Sequence, residues 1–285
     1  MYVRRRIRES DYELLARFYG RDLGGQSYFN WKNLLDPLDS QHVEPQAICY
    51  EENSACLGIA YSRHYVFRLN SREFRVNLIG DLGVDRRCRS GPVAVALIRH
   101  AINPDSDLIV CFSDERKTPA YQKILTRYFT PATQVIRYAE VCCRPIGHEP
   151  YNEIEADAIP DSAWRNHFGR KRDRQASDYL KCHPLYRTVH YLQHEDKYLT
   201  LGVSEDCADV VDLSDSGESH ILWGLGVASQ FSETCRILLH ESRLPTLSQI
   251  IPVLHKKPLC MLIGYLQDVP IFDEQRVWIG RLDRR

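Results

Sequence analysis

Asn77–Leu78–Ile79–Gly80–Asp81–Leu82–Gly83–Val84–Asp85–Arg86–Arg87–Cys88–Arg89–Ser90–Gly91–Pro92–Val93–Ala94–Val95–Ala96–Leu97–Ile98 reads as an apolar strand that passes through a basic turn directly into a helix. A helix begun this way presents the N–H groups of its first turn and its positive dipole end to the loop before it, and both attract an anion. Arg86, Arg87 and Arg89 add mobile positive charge beside them. This is the chemistry that holds the pyrophosphate of a nucleotide or coenzyme. Pro92 is compatible with a helix start, because its fixed φ is already helical and its missing N–H had no intrahelical acceptor. In a phosphate cradle that N–H would have been a donor, so the cradle is one hydrogen bond short. Gly91 is expected to restore close approach of the backbone.

Upstream of this stretch, Gln46–Glu51 reads as a short strand, Glu52–Asn53–Ser54 as a turn, and Ala55–Arg68 as a long strand in which Gly58 marks a bulge. Leu69–Asn70–Ser71 turns into Glu73–Val84, giving three successive antiparallel strands. Downstream, a helix over 92–101 ends near Asn103–Pro104, and a strand at Asp107–Phe112 and a helix over Pro119–Tyr128 follow. A strand at Tyr2–Ile7 and a helix at Asp11–Tyr19 precede them all, with Ser10 as N-cap and Glu13 as its capping-box partner.

In this motif and in this element order, residues 1–145 resemble the GNAT acyltransferase superfamily. The family's coenzyme motif is an apolar strand ending in Val, a turn, and Arg/Gln-x-x-Gly-x-Gly/Ala opening a helix. Arg89-x-x-Pro92-x-Ala94 stands at those positions, with Val84 at the strand end and Leu97 on the inner helix face; Pro92 departs from the family's Gly. The resemblance implies acetyl-CoA or another acyl-CoA as acyl donor and no metal. The donor is expected on Leu82, Gly83 and Val84 of the strand and on Arg89, Ser90, Gly91, Pro92, Val93 and Ala94 of the turn and helix. It also implies a carboxylate base on the strand, for which Asp81 is the candidate, and a Tyr on the helix after the fifth strand that protonates the departing thiolate. Aligning Tyr128–Phe129 with the family's closing Gly-Phe pair puts Ile124 at that Tyr position. The expected acid is absent there, and Tyr121, one helical turn earlier, is the substitute.

Each candidate has a structural reading beside the functional one. Burial in an apolar strand would raise the Asp81 pKa towards a useful range, or the carboxylate is tied to a neighbouring Arg or backbone N–H. Tyr121 is a proton donor or a packing residue, as aromatic side chains at helical spacing commonly are. Ser27–Pro37 resembles the aromatic helix before the second strand in GNAT proteins of polysaccharide or amino-sugar pathways; there Tyr28 and Trp31 stack on a substrate or form a hydrophobic helix face. His64 and His100 are spare titratable groups or structural histidines.

The rest of the chain repeats the element order without repeating the sequence. Arg187–His194, Tyr198–Ser204 and Asp209–Leu213 read as strands, His220–Phe231 as a helix, Arg236–His240 as a strand, Leu247–Leu254 as a helix and Leu259–Tyr265 as a last strand. Asp212–Glu218 stands where the basic turn would be, and its acids would repel a pyrophosphate. The expected fold is therefore α+β, with two GNAT-like domains, each a mostly antiparallel central sheet flanked by helices. They are an acyl-CoA-binding domain at 1–145 and a degenerate one at 146–285, joined through the Pro-containing stretch 144–161.

The chain has 285 residues, 44% apolar, with a net charge of −1, so it is long enough for two cores and carries no general polyanion-binding charge. The basic run Arg170–Arg174 reads as a solvated surface helix between the domains, and a nucleic-acid role is not expected. The ten cysteines show no Cys-x-x-Cys spacing, and several lie in apolar strands, where free Cys packs as a small hydrophobe. Cys182, His183, His190 and His194 match no standard zinc spacing. With no signal peptide read, the cysteines point to a reducing cytoplasm, and no apolar run is long enough to span a bilayer.

These readings converge on an acyl-CoA-dependent N-acyltransferase, most simply an N-acetyltransferase, acting on a small amine such as an amino sugar or an amino-acid-like metabolite. The alternative is a non-catalytic tandem GNAT protein that binds coenzyme A or a protein partner as a sensor or assembly module. Homo-oligomerisation is admitted by either reading.

Overall fold

A computed structural model describes residues 1–36, 45–89, 92–130, 132–274, 277, 279 and 280. The first part of the chain runs β1 (Tyr2–Arg6), α1 (Asp11–Tyr19), α2 (Gly25–Asn33), β2 (Gln46–Glu52), β3 (Ala55–Leu69), β4 (Arg72–Val84), α3 (Val93–Ala101), β5 (Leu108–Ser113), α4 (Thr118–Tyr128) and β6 (Ala132–Cys143). Two short strands, β7 (Asn152–Glu153) and β8 (Gly169–Arg170), and α5 (Arg174–Lys181) lead into the second part. This runs β9 (Thr188–His194), β10 (Lys197–Val203), β11 (Ala208–Leu213), α6 (Glu218–Ala228), β12 (Cys235–His240), α7 (Leu244–Ile250) and β13 (Val253–Tyr265).

Local chemistry sets most of these boundaries. The β2–β3 and β3–β4 hairpins turn on Asn53–Ser54 and Asn70–Ser71, all four with positive φ, as two-residue hairpin turns require. Helix α1 stops at Gly20, whose φ of 67° lets its N–H return to the Ala16 carbonyl at 2.8 Å. Its start differs from expectation: Ser10 makes no side-chain cap bond. The Asp11 carboxylate instead accepts the Arg8 N–H at 3.0 Å and pairs with Arg5 at 2.5 Å. The helix expected over 247–254 ends at Ile250, because Pro252 biases the residue before it towards extended backbone.

The mixed α/β chain builds one mostly antiparallel sheet in the order β1-β2-β3-β4-β5-β13-β6-β12-β11-β10-β9-β7, with β8 pairing beside β3. The register shift between Tyr50 and Glu51 puts a bulge opposite, at Leu57–Gly58, where Gly58 was expected to mark one. A Cβ on Gly58 would lie 2.9 Å from Leu97, so this glycine lets α3 settle directly on the strand. Among the described residues two pairs are parallel, β4 with β5 and β11 with β12, and a helix crosses over between the members of each.

The middle of the sheet ties the two parts together. The last strand, β13, lies between β5 and β6, while β6 also pairs with β12. Residues 1–145 and 146–285 are thus joined by ladder hydrogen bonds. Helices α3 and α4 pack on the first part's sheet through Leu97, Ile98 and Leu125, and α1 packs on its opposite face through Leu15 and Phe18. Around α6 and α7, Trp223, Leu225 and Leu247 enter a separate core with β10–β12. Among the described residues, no helix is long and apolar enough to cross a membrane.

A second junction joins α2 to α5. The Trp31 ring stacks on Tyr179 with centroids 4.5 Å apart and 3° between planes. Trp31 Nε1 donates to the Tyr179 carbonyl at 3.0 Å, and the Tyr179 hydroxyl donates to the Trp31 carbonyl at 2.8 Å. Tyr28 stacks on Trp31 in turn, so these aromatics are interface, and Trp31 is closed to a substrate. The basic run also departs from expectation. Arg170 pairs with Asp36 at 3.1 Å and Arg172 with Asp212 at 2.7 Å, all four side chains buried, and α5 begins only after Asp173 caps it. Paired charges can be buried where single ones cannot, which is why a charge run read alone looked solvated.

Replacing Trp31 removes both the stacking and the hydrogen bond to the second part. Trp31→Ala is expected to lower unfolding free energy by about 3–5 kcal/mol, and Trp31→Phe by less, measured by urea denaturation.

Candidate functional site

β4 and β5 pair in parallel only as far as Ile79 and Cys111. Beyond these residues the strands part around a cleft of about 330 Å³. Gly80, Asp81 and Leu82 of β4 form one side, and Phe112, Ser113 and Asp114 the other. Tyr121 and Leu125 of α4 line it, Tyr19 and Arg21 close it from the end of α1, and Lys257, Pro258 and Leu259 of β13 complete it.

The parting begins at a bulge. On β3, Ile59 faces Gly83 and Tyr61 faces Gly80, so Asp81 and Leu82 together oppose Ala60. Asp81 takes a φ of 48°, a conformation that Asp tolerates better than most side chains. Such bulges bend a strand and re-aim its side chains. Tyr19 fixes the bend from α1 by donating its hydroxyl to the Leu82 carbonyl at 3.0 Å. Gly83 allows α1 this close, since a Cβ there would lie 3.0 Å from Phe18.

Asp81 meets Lys32 of α2, with Nζ 3.0 Å from Oδ1 and 2.9 Å from Oδ2 and only 13% and 18% of the two side chains exposed. Burial pushes the Asp81 carboxyl up, but the Lys32 and Arg63 charges outweigh it and hold the carboxyl below its usual value. Its Oδ2, though close to the ammonium, accepts no hydrogen bond of acceptable geometry. Fully buried Arg63 donates to Asn33 and lies over the Tyr61 ring.

Two phenols line the cleft with this carboxylate. Burial, Cys111 and Asp114 push the Tyr121 hydroxyl up to about 12, so it is protonated at neutral pH. Burial and the Asp81 charge push Tyr19 well above its usual value. Asp114, on the other side, is paired with Lys117 at 3.2 Å, and the Ser113 and Thr118 hydroxyls share a hydrogen bond at 2.6 Å where α4 begins.

The basic turn lies at the far end of β4. Asp85 accepts the Arg87 N–H at 3.0 Å and pairs with its guanidinium, shaping a short 3-10 turn over Arg86–Cys88. Arg89 donates to the Phe18 carbonyl at 2.6 Å and to the Val84 carbonyl at 3.3 Å, so it clamps the turn against α1. Arg86 is exposed and has no ion pair among the described residues. Pro92 is the N-cap of α3, and the first helical bond runs from Ala96 N–H to the Pro92 carbonyl at 2.9 Å. The N–H groups of Val93, Ala94 and Val95 therefore have no intrahelical acceptors.

No family model and no curated protein matches the sequence. Solved structures do match the fold. A conserved protein from Enterococcus faecalis V583, described as a probable N-acyltransferase, superposes with a TM-score of 0.58 at 10% identity, over 94% of this chain and 73% of its own. A candidate acetyltransferase from Pyrococcus horikoshii gives 0.58 at 16%, over 92% and 89%. A GCN5-related N-acetyltransferase from Kribbella flavida gives 0.57 at 12%, over 92% and 70%. The fold is that of the GNAT acyltransferases.

Within this GNAT fold, Asp81 and Tyr121 line one cleft with Leu82, while Gly83 and Val84 carry β4 on to the turn. Val93 and Ala94 open α3 behind Pro92; Ser90 and Gly91 lie outside the described residues. The partner of Asp81 is Lys32, neither an Arg nor a backbone N–H, and the direction of its pKa is opposite to that expected from burial alone. Ile124 packs in the core beside α3. His64, lowered by burial and by Arg4, sits among Ser62 and Asn103, and His100 lies tilted against the Tyr2 ring with centroids 4.7 Å apart; neither lines the cleft. Sequence reading missed Tyr19, Lys32, Arg21 and Lys257, since no local pattern distinguishes a tyrosine or cation that meets β4 only in the folded chain.

The Asp81–Lys32 pair has a measurable sign. Because the folded-state carboxyl lies below its unfolded value of about 4, its contribution to stability is present above that pH and lost as pH falls through the folded pKa. In Lys32→Met, burial, the largest single influence, is opposed by the Arg63 charge alone. The Asp81 carboxyl is then expected to rise above its ordinary value, making its contribution favourable at low pH and lost as pH rises. Carboxyl-carbon NMR titration, with Asp81→Asn for assignment, reads both directions.

Proposed function

We propose that the protein is an acyl-CoA-dependent N-acyltransferase, most simply an N-acetyltransferase, of a small amine. The observation that carries this reading is the parting of β4 from β5 with a carboxylate and a protonated phenol on the same cleft. The open edge of β4 beyond Ile79 offers backbone groups to an extended pantetheine arm. The first turn of α3, with Arg86 beside it, suits the pyrophosphate. Apolar Ile79, Ile98, Ile109 and Leu125 line the cleft and suit the acyl end.

In the reaction, the amine nitrogen bonds to the thioester carbonyl carbon and the carbon–sulfur bond breaks. Ionised Asp81 attracts the ammonium form and takes the proton that the amine sheds, directly or through water. Tyr121 keeps its proton at neutral pH and gives it to the departing thiolate; the second proton shed by the acylated nitrogen restores the phenol through water, and the proton on Asp81 passes to solvent. Positioning supplies much of the rate, because the thioester is already reactive and the amine need only be held against it. The acceptor, the acyl length and the cytoplasmic setting belong to this proposal. So do the division into a coenzyme-binding part at 1–145 and a degenerate part at 146–285.

The opposing reading, a coenzyme-binding sensor or assembly module without turnover, draws on Pro92 at the N-cap and on the Lys32 pair, which weakens Asp81 as a base. Calorimetry with coenzyme A and acetyl-CoA, followed by thiol release with an amine panel, separates the two. The transferase reading expects saturable binding, weakened in Arg86→Glu, and thiol release that falls roughly 10²–10⁴-fold in Asp81→Asn with coenzyme binding retained. Binding without thiol release for any amine would favour the sensor, and normal turnover by Asp81→Asn would remove Asp81 as the base.

A further inference from the structure

The charges around the cleft do not balance locally. Each acid on its wall has its own lysine: Asp81 is paired with Lys32, and Asp114 with Lys117. Arg21 and Lys257 line the same cleft, both exposed, and among the described residues neither forms an ion pair or a side-chain hydrogen bond. Arg21 follows directly on the end of α1, and its charge acts on the Tyr19 hydroxyl, which also feels Asp81 and Tyr121. Lys257 arrives from the other part of the chain, on β13. There β13 has left β5, which pairs only with Cys260–Tyr265.

We infer that the acceptor is an amine that also carries an anionic group, a carboxylate in the simplest case, and that Arg21 and Lys257 bind it. This rests on the acceptor cleft proposed above and narrows its substrate class. The ammonium of such a zwitterion is drawn towards the Asp81 end of the cleft, while its carboxylate meets the two uncompensated cations. The arrangement discriminates as well as attracts. A neutral or dicationic amine leaves Arg21 and Lys257 without a counter-charge when the donor and acceptor exclude solvent from the cleft. It also gives the strand β13 a functional position in the first part's site, since Lys257 is the only cation contributed to this cleft from beyond β6 among its lining residues.

The test is equilibrium binding to the full-length protein saturated with coenzyme A. The ligands are L-α-amino acids and the ω-amino acids from glycine to 6-aminohexanoate, each compared with its carboxamide. The expected result is that at least one amino acid binds about tenfold more tightly than its carboxamide. That preference should be lost in Arg21→Glu and Lys257→Glu and should shrink with rising salt, as for exposed charges. Melting temperature and coenzyme affinity, measured for each variant, report whether it has folded. The inference is overturned if no amino acid binds, if carboxamides bind equally well, or if the preference survives both charge reversals in folded variants. Thiol release is read in parallel. Release with neutral amines alone would keep the transferase and end the anion site, whereas selective amino-acid binding without release would keep the anion site and end the transferase reading.

Discussion

The ladder between β6 and β13 is the constraint on which the rest of the molecule depends. It places the chain's last strand in the middle of the sheet, between β5 and β6, and leaves β6 its other edge for β12. Every backbone group buried at this seam needs a partner, so neither strand can be withdrawn without exposing a row of unpaired donors and acceptors. The first part's cleft therefore has one wall that its own residues do not supply. Lys257, Pro258 and Leu259 stand where they do because β13 is held by β6 beyond the point at which it leaves β5.

The cleft itself follows from a balance along β4. As far as Ile79 the strand is a parallel partner of β5. The bulge at Asp81–Leu82 then bends it, Tyr19 takes the Leu82 carbonyl, and α1 settles on Gly83. The cost of a left-handed aspartate and of a buried charge is offset by Lys32 and by the neighbouring charge of Arg63. Lys32 is carried on α2, the helix that Trp31 fastens to Tyr179 of α5. The electrostatics of the cleft and the contact between the two parts of the chain are thus mechanically connected, through adjacent residues of one short helix.

Much of the fold was legible locally. The strand, turn and helix over Asn77–Ile98 are set by apolar patterning, by the basic turn and by a proline that can only begin a helix. The hairpins at Asn53–Ser54 and Asn70–Ser71 and the bulge opposite Tyr50–Glu51 were visible for the same reason: they depend on the conformational range of one or two residues. The order of strands and helices in the second part was readable because alternation of short apolar strands and helices is a local pattern.

Asp81 and Tyr121 could be picked out in the sequence as chemically useful groups in suitable segments, and the fold brings them to one cleft. Their electrical state could not be read, because burial and charge act on Asp81 in opposite directions and the outcome depends on Lys32, 49 residues away in the chain. Likewise the basic run at Arg170–Arg174 looks solvated until Asp36 and Asp212 are brought against it. The sequence by itself determined most of the secondary structure, the basic turn after β4 and the GNAT-like order, since these rest on interactions within a few residues. Only the tertiary structure decided the insertion of β13, the pairing of Asp81 and the unmatched charges of Arg21 and Lys257, since these arise only where segments distant in the chain are brought against one another.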